Sequence, residues 1–497
     1  MLGNAKLVMR GGFGIFYDIE DGALNLQFGG QAPFGYVANN YPCFTTVAIG
    51  AGGCLVPVNG SYSADPFQTA TTGYSDPYPF IAGGHLGQFF TPAIPFAFVV
   101  TPQFRTPYAE NFNYGFQYQL SKDTVVEAVY VGSLSRKAIA STNLNNPEIT
   151  GSNPNNLMAQ YQSYVPTADP ANPIYVVNDI SPDCARPLAN CDANFVPHGA
   201  TQIETNVSNG SSSSNEMQVT VDRRMNHGLG FRVAYTLAKT IDVSSGFRAR
   251  SSTYTNPTDP AFDRGLADFD ARQRLVLSPI WQIPLGDKSS GLKKNVIGGW
   301  VVSTITSFQS GNPFTLFSSN GASESNEGLD RPDVVGPIQI FKNPRQQRTF
   351  SPNADGIHGS CLSGTTTGPF FFDPTNVVCS VGPPVGQPNV AGLGLTTGGV
   401  PLFSYGNMGR NVLRGPGIND WDISIMKNFK FTESKSLQFQ SNFFNAFNHV
   451  QFYGPTSNGG AVGGAGQFGE VSTDTSPSTS PYYRGPRIIQ FALKILF

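Results

Sequence analysis

A strict alternation of apolar and polar residues is the feature that most constrains the fold of this chain. In the segment 111–119, four aromatic residues stand at every second position: Phe112, Tyr114, Phe116 and Tyr118. The residues between them are asparagine, glycine and glutamine. Because successive side chains of a β-strand point to opposite faces, one face of this segment is aromatic and the other is polar. The alternation predicts a two-faced β-strand.

About ten segments follow this period, and most of them have roughly the 9–11 residues that a tilted membrane strand requires. They are 7–17, 111–119, 124–130, 217–221, 229–237, 275–285, 300–308, 421–431, 437–447 and 489–497. In the fifth segment, Arg232 falls on the polar face, between Phe231 and Val233 of the apolar face. An arginine in a water-filled lumen is acceptable, whereas on a lipid face at mid-depth it costs about 2–4 kcal/mol.

The connections between these segments alternate between short and long. The short ones are 120–123, 224–228, 286–295 and 432–435, and the long ones are about 19–100, 137–210, 242–270, 314–415 and 449–485. A soluble β-sandwich has no reason to place every long loop at one end. Bacterial outer-membrane barrels do so, with short periplasmic turns and long extracellular loops. We therefore expect an all-β, antiparallel transmembrane β-barrel whose last strand ends at the periplasmic rim.

Composition supports a membrane environment. Charged residues make up 13% of the chain and aromatic residues 12%, while soluble domains contain about 25% charged residues. No stretch reaches the roughly 18 apolar residues of a membrane helix, and the mean hydropathy of −0.17 fits strands that alternate lipid-facing and lumen-facing residues. The net charge of −2 argues against a nucleic-acid partner. We expect the outer membrane of a Gram-negative bacterium.

Signals for export and for barrel assembly are expected at the two ends of the chain. Residues 1–14 lack a charged segment followed by an apolar core, so no export signal is recognisable. Either the compartment is different or the chain is the C-terminal part of a longer protein. The last strand carries an alternating apolar row that we expect to be the signal for the barrel-assembly machinery: Ile489, Phe491, Leu493, Ile495 and the terminal Phe497.

All six cysteines fall in predicted long loops. Cys43 and Cys54 lie in the first, Cys184 and Cys191 in the second, and Cys361 and Cys379 in the fourth. An even number of cysteines in an oxidising compartment indicates disulfides, and pairing within each loop is the most economical arrangement. Each short closure would contribute roughly 2–3 kcal/mol in the chain-entropy model. Zinc binding is the alternative, although the chain has no CxxC spacing.

No catalytic, metal-binding or cofactor-binding residue set is recognisable in the sequence. The histidines are scattered singly: His85, His198, His227, His358 and His449. Asp268 and Asp270 resemble an acidic dyad, but residues two apart on a strand merely share a face, which favours a structural use. The glycine-rich stretches 11–14 and 459–466 lack the lysine and hydroxyl residue of a phosphate-binding loop.

Two arginines precede the eighth segment in a turn-rich stretch, residues 410–417. Arg410 and Arg414 could meet an anionic substrate or surface lipopolysaccharide. They could equally anchor a carboxylate at the rim of the barrel. We favour the carboxylate, and the sequence leaves both uses open.

Seven stretches, in order along the chain, resemble the C-terminal barrel of Oar-like TonB-dependent receptors of acidobacteria and myxobacteria. They are 9–18, 124–133, 234–242, 263–270, 298–303, 409–417 and 443–449. The resemblance implies an N-terminal β-sandwich, a plug with a TonB-contacting segment, and a barrel of 22 strands. This chain has about ten strands, with no plug and no TonB box. Residues 1–497 are therefore expected to be a partial outer-membrane barrel.

The function implied by this resemblance is that of a TonB-dependent receptor and transporter. Its barrel segment would contribute lumen wall and ligand-capturing surface loops. The expected partners are outer-membrane lipid and lipopolysaccharide, the barrel-assembly machinery, an unidentified extracellular ligand, and TonB only through the absent plug. A small outer-membrane adhesin or structural barrel is the alternative. A third hypothesis is a barrel-mouth protease that uses His85, His198 or His358.

Overall fold

Ten long antiparallel strands form one continuous sheet in the computed structural model. They are β1 (Leu7–Tyr17), β2 (Tyr108–Gln119), β3 (Thr124–Asn143), β4 (Pro197–Asn226), β5 (Leu229–Asp242), β6 (Gln273–Gln282), β7 (Trp300–Gln309), β8 (Ile418–Lys430), β9 (Ser436–Phe444) and β10 (Ile488–Leu496). Each strand pairs with the next one along the chain. The ten predicted strands and their antiparallel order are confirmed.

The structure describes residues 6–18, 94–143, 189–191, 197–246, 254–256, 259–286, 289, 291–318, 330–352, 359–362, 364–379, 406–432, 435–452, 454–455, 468–471 and 486–497. Shorter strands are Ile94–Val100, Ala189–Cys191, Gly265–Leu266, Pro313–Phe314, Asp333–Val334, Arg348–Phe350, Gly359–Ser360, Thr366–Gly368, Val377–Cys379 and Leu413–Arg414. The helices are α1 (Gly291–Ile297) and two 3₁₀ turns, Pro260–Asp263 and Pro374–Asn376. Within these ranges, no helix has the length and apolar content to cross a membrane.

The register joins the apolar sides of all ten strands into one face. Phe112 of β2 lies opposite Phe13 of β1 and Gly132 of β3, and at the other side of the sheet Phe439 of β9 lies opposite Leu493 of β10. The side chains of this face are not enclosed by protein: Tyr114 is 57% exposed and Phe491 is 66% exposed. Phe112 and Phe231 are partly exposed. The sheet therefore presents an aromatic and aliphatic surface outward.

The opposite face is more polar, although Phe16, Ile280 and Ile305 also lie on it. Glu127 of β3 lies opposite Thr220 of β4, and Asp222 of β4 lies opposite Arg232 of β5. The Arg232 Nε and Asp222 Oδ1 atoms are 3.8 Å apart, and both side chains are more than half exposed. Such an exposed pair contributes at most about 1 kcal/mol. Its position nevertheless shows that charge accumulates on the face expected to line the lumen.

Every short connection lies at one end of the sheet and every long connection at the other. The tightest joins β4 to β5 through His227 and Gly228, which have φ of +51° and +79°. Positive φ at both central residues is characteristic of a two-residue hairpin turn. The added Cβ of an alanine at Gly228 would lie 2.6 Å from the carbonyl oxygen of Gln282. The predicted alternation of short and long connections is confirmed.

The predicted boundaries of the second long connection are wrong. β3 has 20 residues and β4 has 30, so both strands continue well into the segment 137–210. Their extensions pair with each other, and Ile94–Val100 pairs in parallel with β4. The alternation did not predict this continuation because residues 208–215 of β4 are polar on both faces of the strand. Strand pairing satisfies the backbone there without an alternating pattern.

The described sheet is open. β1 pairs only with β2, and β10 pairs only with β9. Each of these strands therefore presents one row of backbone donors and acceptors that no described strand satisfies.

The largest buried hydrophobic cluster is built by the fourth long connection together with Phe468 and Val471 of the fifth. This "loop core" consists of Leu316, Cys361, Leu362, Phe370, Phe371, Phe372, Val377, Cys379, Met408, Phe468 and Val471. Phe370 packs edge-on against Phe350 with ring centroids 4.8 Å apart, and Phe372 packs edge-on against Phe468 at 5.5 Å. The fourth and fifth long connections thus pack together around one apolar cluster.

A disulfide crosslinks the loop core between Cys361 and Cys379, the pairing within one loop that the sequence predicted. Cys43, Cys54 and Cys184 lie outside the described residues. Cys191 lies in a described strand, but nothing is described of its side chain. Pairing in the first two loops stays a prediction.

Candidate functional site at the rim of the sheet

Three sequence segments converge at the long-connection end of the sheet. They are the end of β5, the turn 263–270 before β6, and the stretch 406–417 that leads into β8. Charged and amide side chains of these segments, together with Arg331, form a network that we call the rim network: Asp242, Asp263, Asp268, Asp270, Arg331, Arg410, Asn411 and Arg414.

Arg410 is the centre of the rim network. Its Nη1 donates to Asp242 Oδ1 at 2.5 Å, and its Nη2 donates to Asp268 Oδ1 at 3.1 Å and to Ser245 Oγ at 2.8 Å. Ser245 in turn donates to Asp242 Oδ2 at 2.6 Å. The Arg410 side chain is 12% exposed and that of Asp242 is 4% exposed. The planar guanidinium therefore joins the end of β5 to the turn 263–270.

Arg414 forms a second clamp on Asp270, whose side chain is fully buried. Arg414 Nη2 donates to Asp270 Oδ2, and its Nη1 donates to the backbone carbonyls of Asp270 at 2.8 Å and Gly311 at 3.1 Å. The other carboxylate oxygen of Asp270 accepts from the backbone N–H of Thr240 at 2.7 Å. The Asp270 carboxylate therefore accepts hydrogen bonds from β5 and from the stretch that leads into β8.

Asn411 fastens the turn from a left-handed backbone conformation with φ of +55°, which asparagine tolerates better than most residues. Its Nδ2 donates to the carbonyl of Leu266 and to Asp268 Oδ1, both at 2.6 Å. Its Oδ1 accepts from Thr315 Oγ1 at 2.8 Å. Asn411 thus connects the rim network to the segment that enters the loop core.

A buried ion pair completes the network. Arg331 Nη1 lies 3.4 Å from Asp263 Oδ1, and the two side chains are 1% and 5% exposed. The guanidinium lies over the Phe262 ring at 3.7 Å. Asp263 Oδ2 also accepts from the backbone N–H of Thr255 at 2.7 Å. These contacts hold the segments around residues 255, 263 and 331 in one unit.

Burial dominates the titration of this pair. It raises the pKa of Asp263 above the usual value even though Arg331 acts in the opposite direction. It lowers the pKa of Arg331. Burial and, secondly, the Asp263 charge raise the pKa of Tyr254 to about 12. A guanidinium nevertheless stays protonated at neutral pH, so the pair is kept as a structural contact.

The contacts of Arg410 and Arg414 favour carboxylate anchoring over the binding of an external anion, the two uses expected from the sequence. Arg410 and Arg414 both bind carboxylates of the rim, as anchoring requires, and neither is presented as a free anion site. The placement of Asp268 and Asp270 on a strand is wrong, because they lie in a turn and a coil between Gly265–Leu266 and β6. Each is paired with an arginine, so the arrangement is that of a structural clamp.

The other candidates lie apart from the rim network. His227 is in the β4–β5 turn at the opposite end of the sheet, and the His449 ring lies 3.2 Å from Gln451 Nε2. His85 and His358 lie outside the described residues, and nothing is described of the His198 side chain. Residues 11–14 are in β1, and 459–466 lie outside the described residues. Across the described ranges, no group of three metal-ligating side chains occurs.

Sequence reasoning singled out the segments 234–242, 263–270 and 409–417 separately and did not predict that they meet. It missed Arg331 and Tyr254 entirely. The segment around Arg331 shows no periodicity, and its partner Asp263 is distant in sequence, so no local signal could have found this pair.

The fold and the rim define a class of protein: an antiparallel β-barrel wall with one apolar face and long connections gathered at one end. The family comparison agrees with this class. A family model described as an outer membrane beta barrel domain matches residues 2–490, and the chain belongs to this family. The predicted location in the outer membrane is confirmed.

Several solved outer-membrane receptors and transporters are similar in structure to this chain. The outer membrane transporter YddB from Escherichia coli is 8% identical, with 81% of this chain and 34% of that one covered and a TM-score of 0.34. The FrpB iron transporter from Neisseria meningitidis is 11% identical, with 83% of this chain and 34% of that one covered and a TM-score of 0.31. The ferripyoverdine receptor of Pseudomonas aeruginosa is 10% identical, with 79% of this chain and 27% of that one covered and a TM-score of 0.29. The chain spans about a third of the length of these proteins. No curated protein matches the sequence.

Proposed function

We propose that this chain forms part of the lumen wall and the surface platform of a TonB-dependent receptor of the Oar-like type. The observation that carries the proposal is the convergence of three receptor-like segments, 234–242, 263–270 and 409–417, in the rim network. Residues that resemble one family and are scattered over the chain contact one another at the rim. These contacts would hold the surface loops in place, which every receptor of the family would need.

The platform supplies what ligand capture requires. A surface that selects a ligand binds more tightly when its loops are preorganised. Here the fourth long connection contains a disulfide and shares a hydrophobic core with Phe468 and Val471 of the fifth. Arg410, Asn411 and Arg414 attach it to the ends of β5 and of the turn before β6. The ligand would bind to the exposed side of this platform and then enter the lumen.

The open sheet supports a larger barrel. Membranes do not tolerate unsatisfied strand edges in contact with lipid, and among the described strands β1 and β10 each have a partner on one side only. In the proposed receptor, additional strands close the barrel, a plug fills it, and TonB acts through that plug. The apolar face would contact lipid and lipopolysaccharide, and β10 would be recognised by the barrel-assembly machinery.

A surface adhesin is the second candidate, because a folded and disulfide-bonded loop core could bind a surface without any transport through the lumen. Closure of the barrel separates the two functions. We expect residues 1–497, exported with an added signal sequence, to give no heat-modifiable, protease-resistant barrel. A longer chain that adds a plug and the closing strands before Met1 should give one. A closed barrel from residues 1–497 alone would contradict the receptor proposal and favour the adhesin.

A further inference from the structure

A lysine interrupts the apolar face of the sheet near its short-turn end. Lys427 of β8 lies opposite Trp300 of β7 and Phe439 of β9, and both partners belong to the apolar face. An exposed ammonium group on the lipid side of a barrel is destabilising. The Lys427 side chain, however, is 2% exposed, so the protein itself covers it.

The cover is the C-terminal end of α1. Lys427 Nζ donates to the carbonyl of Val296 at 3.1 Å and to the carbonyl of Gly298. It also lies 5.2 Å from the centroid of the Trp300 ring and 5.1 Å from that of Phe429. The last carbonyls of a helix lack partners within the helix, and a lysine can satisfy them. These bonds fix α1 to the outer, lipid-facing side of the sheet.

Tight backbone packing keeps the helix there. Gly299 has φ of +72°, and an added Cβ would lie 2.7 Å from the carbonyl oxygen of Asn428. The Gly298 N–H donates to the Lys294 carbonyl at 2.9 Å, and the Asn428 N–H donates to the Gly299 carbonyl at 3.0 Å. The connection between β6 and β7 is therefore held to β8 by its backbone as well as by Lys427.

The surface that this connection turns away from the sheet is both apolar and basic. Leu285 is 56% exposed, Val296 59% and Ile297 37%, and Lys293 and Lys294 are exposed beside them. In sequence, residues 285–300 contain three lysines and one aspartate. Short apolar segments with lysines at their border bind the interface of anionic membranes through apolar burial and charge attraction.

We propose that α1 and Leu285 form an interfacial anchor that binds anionic phospholipid in the leaflet at the short-turn end of the barrel. The apolar side chains insert at the boundary of headgroups and acyl chains, Lys293 and Lys294 contact the phosphates, and Lys427 holds the anchor against the wall. The proposal rests on membership of the outer-membrane barrel family and does not depend on transport.

Photo-crosslinking tests the proposal. The closed barrel that contains residues 1–497, produced from the longer chain described under the proposed function, is inserted in phosphatidylcholine vesicles that contain a trace of photoactivatable phosphatidylglycerol or photoactivatable phosphatidylcholine, and protease protection checks insertion. After digestion, mass spectrometry locates the tagged peptides. We expect phosphatidylglycerol to tag residues 285–300 well above phosphatidylcholine. The variant K293Q/K294Q should lower this tagging by about fivefold for each lysine removed.

Two further variants make the experiment decisive. K342Q removes an exposed lysine of the fourth long connection and should leave tagging unchanged. K427M should reduce or redistribute the tags of residues 285–300 although Lys293 and Lys294 remain. Equal tagging by the two lipids, or unchanged tagging in K293Q/K294Q, would overturn the anchor. Unchanged tagging in K427M would overturn the role of Lys427. Neither result would bear on closure of the barrel.

Discussion

Arg410 donates a hydrogen bond of 2.5 Å to Asp242 across 168 residues of sequence. The bond joins the end of β5 to the stretch before β8, two strands that are not neighbours in the sheet. The bond therefore links the end of β5 to the fourth long connection across the ends of β6 and β7, which lie between β5 and β8 in the sheet.

Removing Arg410 should loosen the rim. In R410A the carboxylate of Asp242 stays buried without its cation, and loss of one partner of a buried pair costs roughly 3 kcal/mol or more. We expect faster amide hydrogen exchange at residues 265–270, measured by mass spectrometry. R264A removes an exposed neighbouring arginine and should leave exchange unchanged. Equal exchange in R410A and the unaltered protein would show that the bond contributes nothing to the platform.

The disulfide should stabilise the loop core. It closes a segment of 18 residues between Cys361 and Cys379, which corresponds to about 3 kcal/mol in the chain-entropy model. We expect C361S/C379S to be cleaved faster by trypsin after Arg348, which packs over the Phe341 ring at 3.9 Å. The strands of the sheet should stay protected in the same digest. Unchanged cleavage after Arg348 would contradict a stabilising role.

Tyr254 should titrate late. Burial raises its pKa from the ordinary tyrosine value of 10.0 to about 12. Because the folded-state pKa is the higher one, its contribution to stability is fully present below pH 10 and is lost as the pH rises from 10 to about 12. The difference in phenolate absorbance between the unaltered protein and Y254F should show this transition. A difference spectrum that titrates at pH 10 would contradict the burial of Tyr254.

Asp263 should make the rim more stable at acidic pH. Burial raises its pKa in the folded state, so the folded protein binds a proton more readily than the unfolded chain does. Its contribution is fully present below the unfolded pKa and is lost as the pH rises through the raised value. In D263N, which does not titrate, protease resistance of the rim should lose this dependence on acidic pH. An unchanged pH profile in D263N would assign the dependence to another group.

The two faces of β5 should respond differently to charge. Val233 lies on the apolar face, opposite Val221 and Leu277, and Thr236 lies on the polar face, opposite Gln218. V233R should destabilise the assembled protein by about 2–4 kcal/mol, whereas T236R should be tolerated. The unfolding free energy in denaturant, measured for protein embedded in lipid, gives the comparison. Similar losses in both variants would contradict the assignment of the faces.

Several features of the fold could be predicted from local sequence. The alternation in segments such as 111–119 located all ten strands, because the period of two is a property of neighbouring residues. It also assigned Phe112 and Phe491 to one face and Arg232 to the other. The lengths of the connections separated the short-turn end from the long-connection end. Lys427 shows the limit of this method, since the pattern places it among apolar residues without revealing what covers it.

The sequence by itself determined that the chain forms two-faced strands with long connections at one end, because alternation and spacing are local properties. The tertiary structure alone decided that Arg410 reaches Asp242, that Arg331 lies against Asp263, and that α1 covers Lys427. These contacts join residues that are distant along the chain, and their partners are selected by register and by burial. No short-range pattern encodes that selection, because the energy that favours each contact exists only once the strands are paired.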